Sequence, residues 1–450
     1  MCQLIQKYNV AGPRYTSYPT VPFWNIKEFS GKKWNLSVQQ SFKESSEEGI
    51  SLYIHLPFCE SLCTFCGCHK RITKRHEVEV PYIQSVLKEW QLYCNLFGKK
   101  PIIKQLHLGG GTPTFFSSEN LQMLVKGIFR KAHKAIDYEF SFEGHPNNTT
   151  YEQLETLFEL GFRRVSFGVQ DYNLKVQRAI HRIQPFENVK RVTEWARQIG
   201  YTSIGHDIIF GLPHQSKNDV IETVNKTNLL RPDRLAFYSY AHTPWLKGNG
   251  QRGYKEEDLP TADEKREQYE VGKSLLQQHG YYEIGMDHFA LPSDSLYQSV
   301  KSGSLHRNFM GYTDATTQLM IGLGVSSISD SWYGFAQNVK SIEEYQHLVD
   351  NEVIPIFRGH ILTDEDQSIR QHILNLMCRL ETSWTREDNG LMQPAAQKLE
   401  EMEKDGLVNI GKNRIVITEK GRPYVRNVCM AFDLYLQRDK PTNRLFSMTV

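Results

Sequence analysis

Cys59-Glu-Ser-Leu-Cys63-Thr-Phe-Cys66-Gly-Cys68 stands two residues beyond the apolar run Leu52-Tyr-Ile-His-Leu56. Four of the chain's eight cysteines fall in this stretch. A strand that ends in a thiolate-rich loop is a metal or cluster site. Residues 1–7 contain no apolar core of a signal peptide, and no apolar stretch is long enough to span a bilayer, so a cytosolic protein is expected. Thiols stay reduced there, and clustered cysteines read as ligands rather than disulfides. Cys2, Cys94, Cys378 and Cys429 are scattered and read as small apolar residues or inert thiols.

The metal stays open at this point. Four thiolates can hold zinc, but structural zinc sites usually draw two separated ligand pairs from different elements. Soft thiolates equally suit an iron–sulfur cluster. Three cysteines would then bind three irons of a four-iron cluster and leave the fourth iron open. Cys68 is too close to Cys66 to reach another corner and is expected not to ligate.

Outward from the loop, short apolar runs alternate with helix-like segments. The runs are 52–56, 102–108, 138–142, 164–169, 204–210 and 235–240. The helical segments are 82–96, 120–132, 151–160, 186–199, 218–230 and 263–279, and one more apolar run covers 281–286. Six strand-then-helix units imply a parallel sheet curled into a barrel or part-barrel. Chemistry is then expected at the C-terminal strand ends. Those ends carry the cysteines, Gly109-Gly-Gly-Thr112, Glu143, Gln170-Asp171, Asp207 and Tyr240-Ala-His242. The triple glycine is a tight turn or a close approach to a ligand. It is neither a Walker A sequence nor a dinucleotide fingerprint.

The flanks differ. Residues 1–48 read as an arm, and Gly12-Pro-Arg-Tyr-Thr-Ser-Tyr-Pro19 has too much glycine and proline for a helix or central strand. Arg14, Tyr15 and Tyr18 are candidates to cover a site. The barrel is expected over 49–290, with an extension and connection over 291–362. Residues 363–450 read as a helical module with a β-hairpin, winged-helix-like, beginning with a capping box at Thr363-Asp-Glu-Asp366. That module is not notably basic. With 53 basic and 51 acidic residues and net charge +2, the chain is not a general nucleic-acid binder.

Cys-x3-Cys-x2-Cys after a first strand, with Phe65 before the third cysteine and Gly-Gly-Gly-Thr-Pro-Thr after the second strand, resembles the radical S-adenosylmethionine (SAM) superfamily. Nearly the whole chain is similar to its oxygen-independent coproporphyrinogen III oxidase family. Tyr8–Thr20, Tyr53–Cys59, Gly168–Asp171, Gly211–Pro213, Met286–Phe289, His306–Phe309 and Arg426–Met430 carry that likeness. The chain departs from the pattern of many members at Gly144-His145 and at Met310.

The resemblance implies a partial (β/α)6 barrel and a [4Fe–4S] cluster on Cys59, Cys63 and Cys66, with one open iron that binds SAM. Tyr53, Phe65, Gly110 and Ala241 match positions lining that SAM. Gly111, Thr112, Glu143, Gln170, Arg182, Asp207 and Ile328 match contacts to it or to a second SAM beside it. Glu143 and Asp207 suit an ammonium, ribose hydroxyls or a sulfonium, and Arg182 suits a carboxylate. The implied activity converts two propionates of coproporphyrinogen III to vinyl groups, giving protoporphyrinogen IX, with a SAM-derived radical taking the hydrogen. An electron donor such as flavodoxin or ferredoxin and a cytosolic monomer are implied, and neither a membrane nor a nucleic acid is expected as partner. Arg14, His306 and Arg307 are candidates to counter the substrate's propionates. A radical SAM tetrapyrrole methyltransferase and a non-catalytic haem chaperone on the same fold are the alternatives.

Overall fold

The computed structural model describes residues 2–245, 250–438 and 445–449. It divides into two compact units, one of Asn25–Gly280 with Thr317–Ile361, the other of Met1–Trp24 with Tyr281–Thr316 and Leu362–Val450.

In the first unit, β1 (Ile50–Leu56), β2 (Ile102–Gly110), β3 (His133–Gly144), β4 (Arg164–Gln170), β5 (Ser203–Phe210) and β6 (Arg234–Ser239) lie side by side in chain order. Every neighbouring pair is parallel. The six expected runs are therefore the six strands. The expected helices also form, as Glu79–Phe97, Ser118–Phe129, Tyr151–Glu159, Phe186–Ile199, Lys217–Leu230 and Ala262–Gln278.

Side chains alternate across a strand, and the two faces of this sheet differ in chemistry. Leu52, Ile54 and Leu56 of β1 pack with Val86 and Trp90 of the helix Glu79–Phe97, and Phe140, Phe142, Val165 and Phe167 continue that core. The other face is polar. Ser51 donates to Gln105 at 2.9 Å, His107 meets Ser141 at 2.8 Å, and Arg164 reaches Glu139 at 2.7 Å. Ser166 donates to Asp207 at 3.0 Å. An ordinary barrel fills its interior with branched apolar side chains. This one is lined with hydrogen-bonding groups.

Residues read from sequence as extension and connection add four strands. β7 (Met320–Leu323) pairs parallel with β1, and β8 (Ile328–Asp330), β9 (Gly334–Asn338) and β10 (Ile356–Ile361) continue antiparallel. The helix Glu79–Phe97 is tied to this extension through buried Glu89. Its carboxylate accepts from the Gly324 amide at 2.8 Å, Asn338 Nδ2 at 2.6 Å and the Tyr345 hydroxyl at 2.7 Å.

The second unit is built on the helix Asp364–Arg379, whose Thr363–Asp366 capping box forms as expected. Val408–Gly411 and Arg414–Ile417 make the expected hairpin, and Glu381–Ser383 joins it as a third strand. The Gly12–Pro19 segment forms no helix or strand. Tyr15 and Tyr18 are core residues of this unit, packed with Ile369, Cys429 and Phe432. Tyr15 donates to Asp433 at 3.0 Å, so its hydroxyl is spent on the fold. Among the described residues, no helix is long and apolar enough to cross a membrane.

Candidate active site

The cysteine loop is held by three strand ends. Beyond β1, Phe58–Cys59 pairs in parallel with Arg71–Ile72. The glycine loop after β2 zips onto the same segment, with Gly111 N–H donating to Leu56 O at 2.8 Å and Thr112 N–H to Phe58 O at 2.9 Å. A Cβ on Gly111 would stand 2.6 Å from the Pro57 carbonyl carbon. One on Gly110, whose φ is +109°, would stand 2.6 Å from the His55 ring. Both glycines are therefore required by the neighbouring strand end itself.

The segment after β4 supplies the second hold. Thr64 donates its amide to Ile180 O and its hydroxyl to Ala179 O, each at 3.0 Å. Arg182 donates Nη2 to Gly168 O at 2.6 Å and points Nη1 at Cys63 Sγ, 3.7 Å away. Its buried Nε has no hydrogen-bond partner among the described residues. Gln170 adopts φ +70°, an uncommon conformation for a non-glycine residue. A Cβ on Gly168 would meet Gln170 Nε2 at 2.7 Å and Arg182 Nη2 at 2.9 Å, so these three residues are packed together. The third hold comes from beyond β6. Gln251 donates to Ala241 O at 2.8 Å and Phe65 O at 3.2 Å, and Tyr254 donates to Thr64 O at 3.2 Å.

Cys59, Cys63 and Cys66 line one cleft with Phe65, Thr112 and Arg182. Cys68 is exposed. Among the described residues no three His, Cys, Asp or Glu side chains gather closely enough for a single metal ion. The donor set is thus three soft thiols spread around a cleft, which fits a multi-iron cluster better than zinc. Burial pushes the Cys59 thiol up to about 11, against the Thr112 hydroxyl at 3.3 Å. The hydrogen bond with Cys68 draws Cys66 below its usual range, with Lys70 adding to the pull.

The other expected positions lie on the polar face or its rim. The Tyr53 hydroxyl meets His55 Nδ1 at 3.1 Å, and its ring stacks near His107. Gly322, the strand partner of Tyr53, packs on the Ile328 carbonyl. Burial alone would raise Glu143, but His107 Nε2 at 3.6 Å and the Gly110 amide at 3.2 Å leave it below the usual carboxylate value. Asp207 goes the other way, pushed up to about 7 by burial and by the charge of Glu143. Phe65 packs on a small apolar cluster containing Ile180 and Tyr240. His145 also lines the cleft, and burial drives its ring well below the ordinary histidine value.

His107, Ser166, Thr64, Gln251 and Tyr254 did not emerge from the sequence. The first two sit at alternate strand positions facing Tyr53 and Glu143, a signal that register would have exposed. The other three lie in irregular segments and carry no pattern.

Residues 53–227 match the model of the radical SAM superfamily. Oxygen-independent coproporphyrinogen III oxidase of Salmonella typhimurium is 39% identical over 99% of this chain and 98% of its own. That of Escherichia coli K12 is 38% identical over the same shares, and that of Helicobacter pylori 26695 is 37% identical over 96% of each. The solved structure of coproporphyrinogen III oxidase (HemN) from Escherichia coli, described as a radical SAM enzyme, superposes with a TM-score of 0.90 at 35% identity, covering 97% of this chain and 99% of that one. By full-length similarity and by fold, this chain belongs to the oxygen-independent coproporphyrinogen III oxidase family of radical SAM enzymes.

Proposed function

We propose that this chain catalyses the oxygen-independent oxidative decarboxylation of coproporphyrinogen III to protoporphyrinogen IX. Each of two propionates loses CO₂, a hydrogen atom from its β-carbon and one electron, and becomes a vinyl group. The observation that carries the reading is the three-thiol cleft at the mouth of a polar-lined barrel in a chain related to this family along its whole length. The family's [4Fe–4S] cluster and SAM supply the hydrogen-abstracting radical when bound, so the protein's part is positioning, charge and exclusion of water.

Cys59, Cys63 and Cys66 are the proposed cluster ligands. Their shared cleft supports this. Arg182 is the proposed partner of a carboxylate, which its buried Nε–H, without a partner among the described residues, supports. Glu143, held below the usual carboxylate range, accepts from an ammonium or ribose hydroxyl, and Asp207, raised by burial and by Glu143, donates or accepts. Tyr53, Phe65, Gly110, Gly111, Thr112, Gln170, Ala241 and Ile328 complete the proposed SAM surround. A second SAM, an electron donor such as flavodoxin or ferredoxin, a monomeric state, a cytosolic location and closure by residues 1–48 belong to the same proposal.

The test is anaerobic turnover of reconstituted protein with coproporphyrinogen III, SAM and a reductant, read by product mass. Loss of mass supports decarboxylation. A gain of methyl mass, or no 5′-deoxyadenosine at all, rejects it. Serine at Cys59, Cys63 or Cys66 abolishes iron–sulfur absorbance, whereas Cys68→Ser retains it.

A further inference from the structure

The segment that follows the cysteine loop, Lys70-Arg-Ile-Thr-Lys-Arg-His-Glu77, departs from the charge balance of the chain, with four Lys or Arg against one acid. Most such runs are only a solvated face, but this one is placed and fixed. Arg71–Ile72 is the strand paired with Phe58–Cys59, so Ile72 lies directly opposite Cys59. Arg71 N–H donates to Pro57 O at 2.8 Å and Thr73 N–H to Cys59 O at 2.9 Å. Underneath, the His69 carbonyl meets His55 Nε2 at 2.9 Å, which ties the segment to β1. At its side Arg71 reaches Glu343 at 2.5 Å.

Its outer face is open. Arg71, Ile72, Lys74 and Arg75 are exposed, Ile72 by 43%. Lys340 is exposed beside the segment, and its backbone hydrogen-bonds His69. Arg71 is neutralised by Glu343. The side chains of Lys74 and Arg75 have no ion-pair partner among the described residues. An exposed isoleucine on a strand paired with Cys59, followed by two cations without an ion pair, Lys74 and Arg75, makes a small mixed patch. Transient electron-transfer complexes use small interfaces.

We propose that this Lys70–Arg75 ribbon is the docking surface for an acidic protein that carries a single surface-exposed one-electron group. The proposal rests on the reading of Cys59 as a cluster ligand. The reaction needs one electron delivered from outside for each SAM cleaved. The reduced carrier loses that electron and leaves oxidised, while the cluster side gains it. Charge complementarity selects an acidic partner and sets the encounter rate more than the final affinity.

The experiment uses reconstituted full-length protein with flavodoxin as the probe, comparing wild type with Lys74→Glu/Arg75→Glu. Calorimetry against oxidised flavodoxin reads binding directly, and stopped-flow absorbance reads cluster reduction by the reduced form. In the variant, both are expected to weaken at least about tenfold at low salt, with a shallower salt dependence. Dithionite-driven formation of 5′-deoxyadenosine stays at the wild-type level. Unchanged flavodoxin binding and reduction in the variant overturn the docking proposal. Wild-type protein that cleaves no SAM even with dithionite overturns instead the radical SAM reading beneath it.

Discussion

Gly111→Ala separates two explanations of the triple-glycine loop. If the glycine only admits a ligand, the substitution weakens SAM binding and leaves the unliganded protein as stable as before. The structure requires the opposite. The added methyl would lie 2.6 Å from the Pro57 carbonyl carbon, 2.7 Å from its oxygen and 2.8 Å from Leu56 O. All three are backbone atoms in the turn that launches the cysteine loop, so no side chain can swing aside. Overpacking of this kind costs about 1–3 kcal/mol, and the Gly111–Leu56 hydrogen bond it displaces is worth roughly 1 kcal/mol more. Even a cost of about 2 kcal/mol multiplies the population of a displaced loop about thirtyfold. Gly67→Ala is the control, because it lies in the same loop and its Cβ would meet nothing within 4 Å. Urea midpoints of the cluster-free proteins, and iron and sulfide content after anaerobic reconstitution, are the readouts. Gly111→Ala should lose both stability and iron, and Gly67→Ala neither. A Gly111→Ala protein with the wild-type urea midpoint, defective only in SAM binding, would refute the packing argument.

Gln251→Ala removes the donor to Phe65 O and Ala241 O and also the acceptor of the Thr243 amide at 2.6 Å. The fold should survive, but the reconstituted cluster should lose iron to a chelator several times faster than in wild type. Glu89 gives a pH signature. Burial raises its carboxyl from 4.5 to about 7, so between those values the folded state keeps a proton that the unfolded chain has released. Stability therefore falls as pH rises through that window, by about 3 kcal/mol for this group, and levels off above it. Glu89→Gln should flatten that fall in urea midpoints measured at pH 5 and 7.5, and an unaltered slope would show that another group carries it.

The fold was legible where its signal is local. Six apolar runs gave six strands because each strand's core face must be apolar over a handful of residues. The capping box at Thr363 needs only its own turn. The cysteine loop stood out because thiols are scarce. What stayed hidden is set by pairing between distant segments. β7 is four residues long and joins β1 from more than 260 positions away. The polar barrel face depends on which residues of neighbouring strands come opposite one another. His107 faces Tyr53 and Ser141 only once β1, β2 and β3 are in register. Gln251 and Tyr254 hold the cysteine loop from an irregular segment, where a polar residue is unremarkable until its partner is known. The glycines were visible, but not the reason for them, because the atoms that exclude a Cβ belong to Pro57 and His55.

These hidden contacts bear on when the site forms. In many small metal domains the unfolded chain has no site, and metal binding itself provides the folding free energy. Here the loop from Cys59 to Cys66 has protein partners along its length: the glycine loop at Cys59, Ala179 and Ile180 at Thr64, Gln251 at Phe65 and Tyr254 at Thr64. Those partners come from three strand ends of the barrel, so the loop is ordered as part of barrel folding. Those contacts offset the entropy of fixing it. The proposed cluster ligands Cys59, Cys63 and Cys66 need their thiols on one cleft, and these contacts bring them there. Glu143, Asp207 and Arg182 are likewise fixed by the fold, through the Gly110 amide, the Ser166 hydroxyl and the Gly168 carbonyl.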